Sequence, residues 1–155
     1  MSMFDCIDKE GNRYSNMTIV DGLSSINKNM PVRLTQLKDG RLMIEQRFSK
    51  NKPVYIPYSQ VTNAGLVTEE EIIEKSKSVV GRAAAGTLLL GPLGAIIGGM
   101  SGIGTKTKQK SETYFVINYR PDGEDEQKII SFKYAGDFPA TYKKFTEELR
   151  AAAGI

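Results

Sequence analysis

The stretch Gly99-Met100-Ser101-Gly102-Ile103-Gly104-Thr105-Lys106 comes closest to a chemical motif. A phosphate-binding loop requires Gly, four residues, then Gly-Lys-Ser/Thr, so that the lysine reaches the phosphates and the hydroxyl reaches magnesium. Here threonine and lysine are transposed, and the next residues, Lys-Thr-Lys-Gln-Lys-Ser-Glu, alternate like a strand instead of opening a helix. Nucleotide binding is not expected. Two carboxylate clusters come next. Glu69, Glu70, Glu71 and Glu74 could serve a metal or acid–base chemistry, but behind Thr68 they read better as the acidic first turn of a capped helix. Asp122, Glu124, Asp125 and Glu126 surround Gly123 without the spacing of a calcium loop, so a solvated turn is expected. Lys106, Lys108 and Lys110 recur at period 2. Nucleic-acid binding would need more charge and interleaved aromatics, and Tyr114 and Phe115 fit a core pattern instead. Tyr55 and Tyr58, near Pro53 and Pro57, could line a peptide groove; core or edge packing is the simpler reading.

What the chain lacks narrows the chemistry further. It contains no histidine and a single cysteine, Cys6. Histidine general bases, Ser-His and Cys-His pairs and a Cys/His zinc site within one chain are thereby excluded. The expectation is a protein without catalytic residues, cofactor or metal. A net charge of +3 over 155 residues imposes no global field, so nucleic acid is not an expected partner. The first ten residues show no basic segment followed by an apolar one, which is not the pattern of a secretory signal. A cytoplasmic setting, peripheral to the inner membrane face, is the expectation.

The elements that would position any site are mostly strands. Residues 31–37 and 41–48 flank Lys38-Asp39-Gly40, a hairpin turn, with Leu42, Ile44 and Phe48 on one face and Arg41, Glu45 and Arg47 on the other. Val54, Ile56 and Tyr58 alternate next, with Pro53 and Pro57 suggesting an edge strand or a strand start. A second hairpin spans 112–134 around Pro121-Asp122-Gly123. It carries Phe115, Ile117 and Tyr119, then Ile130, Phe132 and Tyr134, on its apolar face. From Asp137, a capping residue, and Pro139 the pattern becomes helical. Phe138, Tyr142, Phe145, Leu149 and Ala152 form one stripe, which must cover a sheet face or a partner. Residues 1–30 show little periodicity beyond a short strand and turn at Ile19-Val20-Asp21-Gly22.

Between the hairpins lies an uncharged run, residues 83–104. Eight of the 15 glycines (81, 86, 91, 94, 98, 99, 102 and 104) fall in or beside it. Gly94, Gly98 and Gly102 recur every four residues and share a helical face; Leu93, Ile96, Ile97, Met100 and Ile103 fall opposite. Small residues on one face let helix backbones approach closely. Each glycine costs a helix in water about 1 kcal/mol relative to alanine, so such a helix needs a packing partner. As one helix the run would reach about 33 Å, enough to span a bilayer. Gly91-Pro92 interrupts it, however, and one span would put the two sets of strands on opposite sides of the membrane. A hairpin of two helical arms over 71–103, bent at Gly91-Pro92, is expected. Basic residues flank it: Lys75, Lys77 and Arg82 before, Lys106, Lys108 and Lys110 after, which suits an anionic inner leaflet. The arms could equally pack on their own domain or on a sister chain.

This order of elements over residues 30–152 resembles a bacterial pleckstrin-homology-like (PH-like) domain. Residues 79–99 are similar to the glycine-rich insert of small proteins from Gram-positive bacteria and their phages. The resemblance implies an α+β fold: a PH-like antiparallel split barrel with a C-terminal amphipathic helix and an inserted apolar helical hairpin. Residues 1–30 would be a lead segment and 31–155 the domain, interrupted by a glycine-rich helical insertion at 69–105. The implied function is a non-enzymatic binding or scaffold module. It would associate with the cytoplasmic membrane face or a protein partner and form homo-oligomers through its glycine zipper. The alternative is a membrane-active effector, phage-derived, whose apolar hairpin inserts into the bilayer. Contact residues would be Leu93, Gly94, Ile96, Ile97, Gly98, Met100 and Gly102, with the six flanking cations facing an anionic surface.

Overall fold

The computed structural model describes residues 6–77, 88–93, 96, 112–134 and 139–155. Seven strands form one sheet: β1 (Arg13–Asp21), β2 (Pro31–Gln36), β3 (Arg41–Gln46), β4 (Val54–Pro57), β5 (Val61–Thr68), β6 (Thr113–Tyr119) and β7 (Lys128–Tyr134). Helices α1 (Glu69–Lys77) and α2 (Pro139–Ala153) accompany them. The strand order is β4-β3-β2-β1-β7-β6-β5, and every pair is antiparallel.

The edges of this sheet, β4 and β5, are joined by a single 3-10 turn, Tyr58–Gln60. Three residues can join two edges only if the sheet curls until they nearly meet. Hydrogen bonds hold the turn to both sides: the Tyr58 N–H donates to the Gly40 carbonyl at 3.0 Å, and the Arg120 N–H donates to the Gln60 carbonyl at 2.9 Å. The result is consistent with a PH-like split barrel.

Helix α2 closes the opening. Tyr142, Phe145 and Leu149 are buried in the same core as Met17, Leu34, Ile44, Phe115 and Phe132. The Phe145 ring meets Phe115 edge-on, with centroids 6.0 Å apart, and Tyr142 stacks on Tyr134 at 3.5 Å. Polar contacts span the gap: Arg150 donates to Asn63 Oδ1 at 2.9 Å and to the Ala64 carbonyl on β5, while Arg13 on β1 pairs with Glu148. Gln36 Nε2 donates to the Phe145 carbonyl at 2.8 Å. The apolar stripe ends one residue later than its spacing suggests, because Ala153 packs on the core while Ala152 is exposed. Asp137 and Phe138 lie outside the described residues.

Both hairpins form as the alternation predicts, and β4 is an edge strand. Two findings differ from the sequence reading. The stretch before Pro31 supplies a full strand, β1, which alone joins the β2-β3-β4 half of the sheet to the β7-β6-β5 half. Phe48 does not share the buried face of Leu42 and Ile44. Strand β3 stops at Gln46, and Phe48 lies in the following turn at φ +58°, 90% exposed. Tyr55 lies beneath the Arg41 guanidinium, and Tyr58 packs against the core with its hydroxyl donating to the Leu37 carbonyl.

Candidate functional site

The insertion between β5 and β6 leaves and returns through one narrow neck. Thr68 pairs with Thr113 in the sheet register, and the Glu69 N–H donates to the Glu112 carbonyl at 2.8 Å. Both ends therefore emerge on the same side of the domain. Thr68 caps α1, as its position before three glutamates predicts. Its Oγ1 accepts from the Glu71 N–H at 3.2 Å and donates to Glu71 Oε1 at 3.1 Å. Glu70, Glu71 and Glu74 are exposed, as are the carboxylates of the 122–126 turn. Among the described residues no group of His, Cys, Asp and Glu is arranged to hold a metal ion. The near-loop motif at 99–106 lies outside the described residues.

Beyond α1, the described part of the insertion is built onto the outer face of β5-β6-β7. A second apolar core sits there: Val67, Ile72, Leu93, Tyr114 and Val116, with Ile73, Leu88, Leu90 and Ile129 against it. It accounts for a feature of β6 that alternation does not: Tyr114, Phe115, Val116, Ile117 and Asn118 are all buried. Odd-numbered residues face the barrel and even-numbered ones face the insertion. Burial pushes the Tyr114 phenol well above its ordinary pKa, with the Glu112 carboxylate reinforcing the shift. The phenol therefore stays protonated and donates to Glu112 Oε2 at 3.1 Å.

The attachment is specific. Asn118 is 1% exposed, and its amide grips the main chain of Leu89 from both sides. The Leu89 N–H donates to Asn118 Oδ1 at 2.7 Å, and Asn118 Nδ2 donates to the Leu89 carbonyl at 2.8 Å. The side chain thus supplies one rung of a strand ladder. Leu88 and Leu90 point into the second core while Leu89 turns outward. Residues 88–90 are accordingly not helical, which corrects the expectation of a first helical arm running up to Gly91. A helix would spend Leu89's backbone groups internally and leave the buried Asn118 amide without partners.

A turn falls at Gly91-Pro92, but the expected hairpin of two apolar helical arms over 71–103 is not seen among the described residues. Gly91 has φ +55°, a conformation that glycine accepts freely, and a Cβ on it would lie 2.9 Å from Ile129 Cδ1, the tip of a side chain that would have to shift. After it Leu93 and Ile96 are helical, with the Ile96 N–H donating to the Pro92 carbonyl at 3.0 Å. Of the predicted contact residues, Leu93 is fully buried against its own sheet and Ile96 is half-buried. Lys75 and Lys77 belong to α1. Arg82, Gly94, Ile97, Gly98, Met100, Gly102, Lys106, Lys108 and Lys110 lie outside the described residues. Among the described residues no helix is long and apolar enough to cross a membrane.

The sequence signal for the clamp is slight: one asparagine between Ile117 and Tyr119 in an apolar strand. Its weight can be measured. Replacing Asn118 with alanine should cost about 1–3 kcal/mol, the usual penalty for stranding buried hydrogen-bonding groups. It should also speed hydrogen exchange at the Leu89 amide. Urea unfolding and amide exchange report the two effects, and unchanged exchange at Leu89 would show that the amide does not hold the segment.

Against this geometry, a comparison with protein families is informative. A family model described as "Glycine zipper containing PH domain" matches residues 18–120. Comparisons with curated proteins and with solved structures give no significant match. The matched span runs from within β1 to just past β6 and takes in the whole insertion; β7 and α2, which complete the barrel, follow it. With well over half of the chain matched and the curled sheet and closing helix in place, the chain belongs to the family of PH domains that contain a glycine zipper.

Proposed function

We propose that this PH-like domain is a non-enzymatic binding or scaffold module that self-associates through its glycine zipper and docks on the cytoplasmic membrane face or on a protein. The observation that carries the reading is the full burial of Leu93 at the start of the second arm. A helix continued from Leu93 at 100° per residue would keep Ile96 and Met100 toward the domain's own sheet. It would turn Gly94, Gly98 and Gly102 away from that sheet. A glycine face directed outward is open to a second helix, most simply the same helix of another copy. The effector alternative would require a free apolar hairpin. The anchoring of Leu88, Leu90 and Leu93 on the domain itself favours a fixed platform instead.

Gly98→Leu tests the reading. The leucine pushes a partner backbone away while making the segment more apolar. Close packing predicts a smaller particle or a less stable fold by light scattering and thermal unfolding. Simple lipid partitioning predicts unchanged or stronger flotation with membranes. If the variant keeps the parent's size, stability and membrane distribution, the zipper has no packing role.

A further inference from the structure

One rim of the barrel carries a charge separation that the fold does not require. Strands β1 and β3 are both antiparallel to β2, and β1 and β6 are both antiparallel to β7. β1, β3 and β6 therefore run the same way, and the turns that follow them emerge on the same rim. These three turns differ in charge. After β3, residues 47–53 carry Arg47, Lys50 and Lys52 and no acid. After β6, residues 121–127 carry Asp122, Glu124, Asp125 and Glu126 and no cation. After β1, Lys28 pairs with Asp21 at 2.6 Å, which leaves that turn neutral. The strand order sets the two charged turns across the rim from each other. β2 and β1 stand between them on one side, and β5 with the 3-10 turn that joins it to β4 stands between them on the other.

Little of this charge is spent within the chain. Arg47, Lys50 and Lys52 have no acidic partner among the described residues. The four carboxylates are exposed, and Glu124 alone meets a cation there, Lys128 at 3.5 Å. Beside the cations Phe48 is 90% exposed at φ +58°, with the Arg47 guanidinium 4.9 Å from its ring centroid. An aromatic ring held so costs the isolated chain stability, which cover by a partner would offset.

We propose that this rim is an interface with a second copy of the chain, rim to rim. The basic β3–β4 turn of each copy lies over the acidic β6–β7 turn of the other. A two-fold axis in the plane of the rim, perpendicular to the line joining the turns, makes both contacts at once. Phe48 is then covered by the apolar ring of Pro121 at the head of the other copy's acidic turn. A partner of uniform sign does not fit, since it would repel one turn while attracting the other. A second copy presents both signs at the matching separation by symmetry. The contact is polar and exposed, so it is weak and salt-dependent. It lies apart from the glycine zipper and does not rest on it.

Sedimentation velocity of the full chain tests it at about 0.05 M and about 0.5 M sodium chloride, between which the screening length falls about threefold. The parent should be larger at low salt. Lys50→Glu with Lys52→Glu makes both turns acidic, and Asp125→Lys with Glu126→Lys makes both basic. Each double variant alone should associate roughly tenfold more weakly than the parent, or less, and gain no size at low salt. All four positions are exposed, so thermal unfolding should stay close to the parent's. An equal mixture of the two variants, in which every contact again joins opposite charges, should regain the parent's low-salt size. A parent of equal size at both salts, variants that keep the parental size, or a mixture that regains nothing would each overturn the proposal. The zipper is read separately, because close apolar packing does not weaken with this change of salt. A salt-independent particle made smaller by Gly98→Leu would leave the zipper standing and remove the rim contact.

Discussion

Replacing Gly22 with alanine should destabilise the fold by about 3–5 kcal/mol, combining backbone strain with a steric clash. Gly22 follows β1 with φ +120°, outside the regions open to side chains with a Cβ. A Cβ there would lie 2.4 Å from the Ile129 carbonyl oxygen and 2.7 Å from the Ile130 Cα. Both are backbone atoms of β7, so no rotamer change removes the conflict; the strands must part. The site is a poor one for yielding. β1 and β7 form the seam between the halves of the sheet, and their register already shifts between Ile19 and Asp21. Gly40→Ala is the control. Gly40 also has positive φ, +92°, but nothing lies within 4 Å of the added carbon. It should show strain alone, about 1–2 kcal/mol. Urea unfolding of the two variants separates conformation from clearance. Equal losses would show that the close approach to β7 carries no weight.

That seam also marks where the sequence stops being readable. Strands with one buried face and a short turn declare themselves. In β3, Leu42 and Ile44 alternate with Arg41 and Glu45, and in β7 Ile130 and Phe132 alternate with Lys133. The signal in β1 is diluted because Ser15 occupies a core position between polar neighbours, with its hydroxyl buried and unpaired in the structure. In β5 the register shifts between Val61 and Asn63, and the inward residue Ala64 and the outward-facing Gly65 are both small. Alternation is broken there by geometry and muted by side-chain size. Phe48 misleads for the opposite reason. It continues the period-2 pattern of β3 by two residues, but Asn51 closes the turn onto Gln46 before the strand can reach it. Pattern alone does not distinguish an apolar residue placed for the core from one left at the surface.

The same distinction governs the insertion. Its turn at Gly91-Pro92 and its cap at Thr68 were legible because both act locally. The non-helical course of residues 88–90 depends on Asn118, 29 positions away in sequence, and on the outer face of a sheet that must form first. Three consecutive leucines carry no period of their own. They pack as in, out, in because β6 offers a surface for Leu88 and Leu90 and a main-chain partner for Leu89. Tertiary structure selects the local conformation here, which is why helical propensity misjudged it.

Phe145→Ala should remove about 3–5 kcal/mol, the usual range for truncating a buried phenylalanine. For a domain whose total stability is about 5–15 kcal/mol, that is about a fifth or more of what holds it together. Phe145 is fully buried and packs edge-on against Phe115, which lies 6.1 Å from Phe132 in turn. Losing the ring leaves a void where α2 meets β6 and β7. The helix has little means to settle into it. Arg150 fixes its later turns to β5, Glu148 is held by Arg13 on β1, and Gln36 bonds the Phe145 carbonyl itself. The cavity should therefore stay open and its full cost be felt. Phe145→Leu, which keeps much of the volume, should lose far less, and Phe48→Ala should cost almost nothing because that ring touches no core. Chemical unfolding of the three variants checks the order. If Phe145→Ala falls within about 1 kcal/mol of the parent, below the cost of an ordinary core truncation, α2 does not close the barrel. The two sheet edges must then be held by the 3-10 turn and the strand ladder without it.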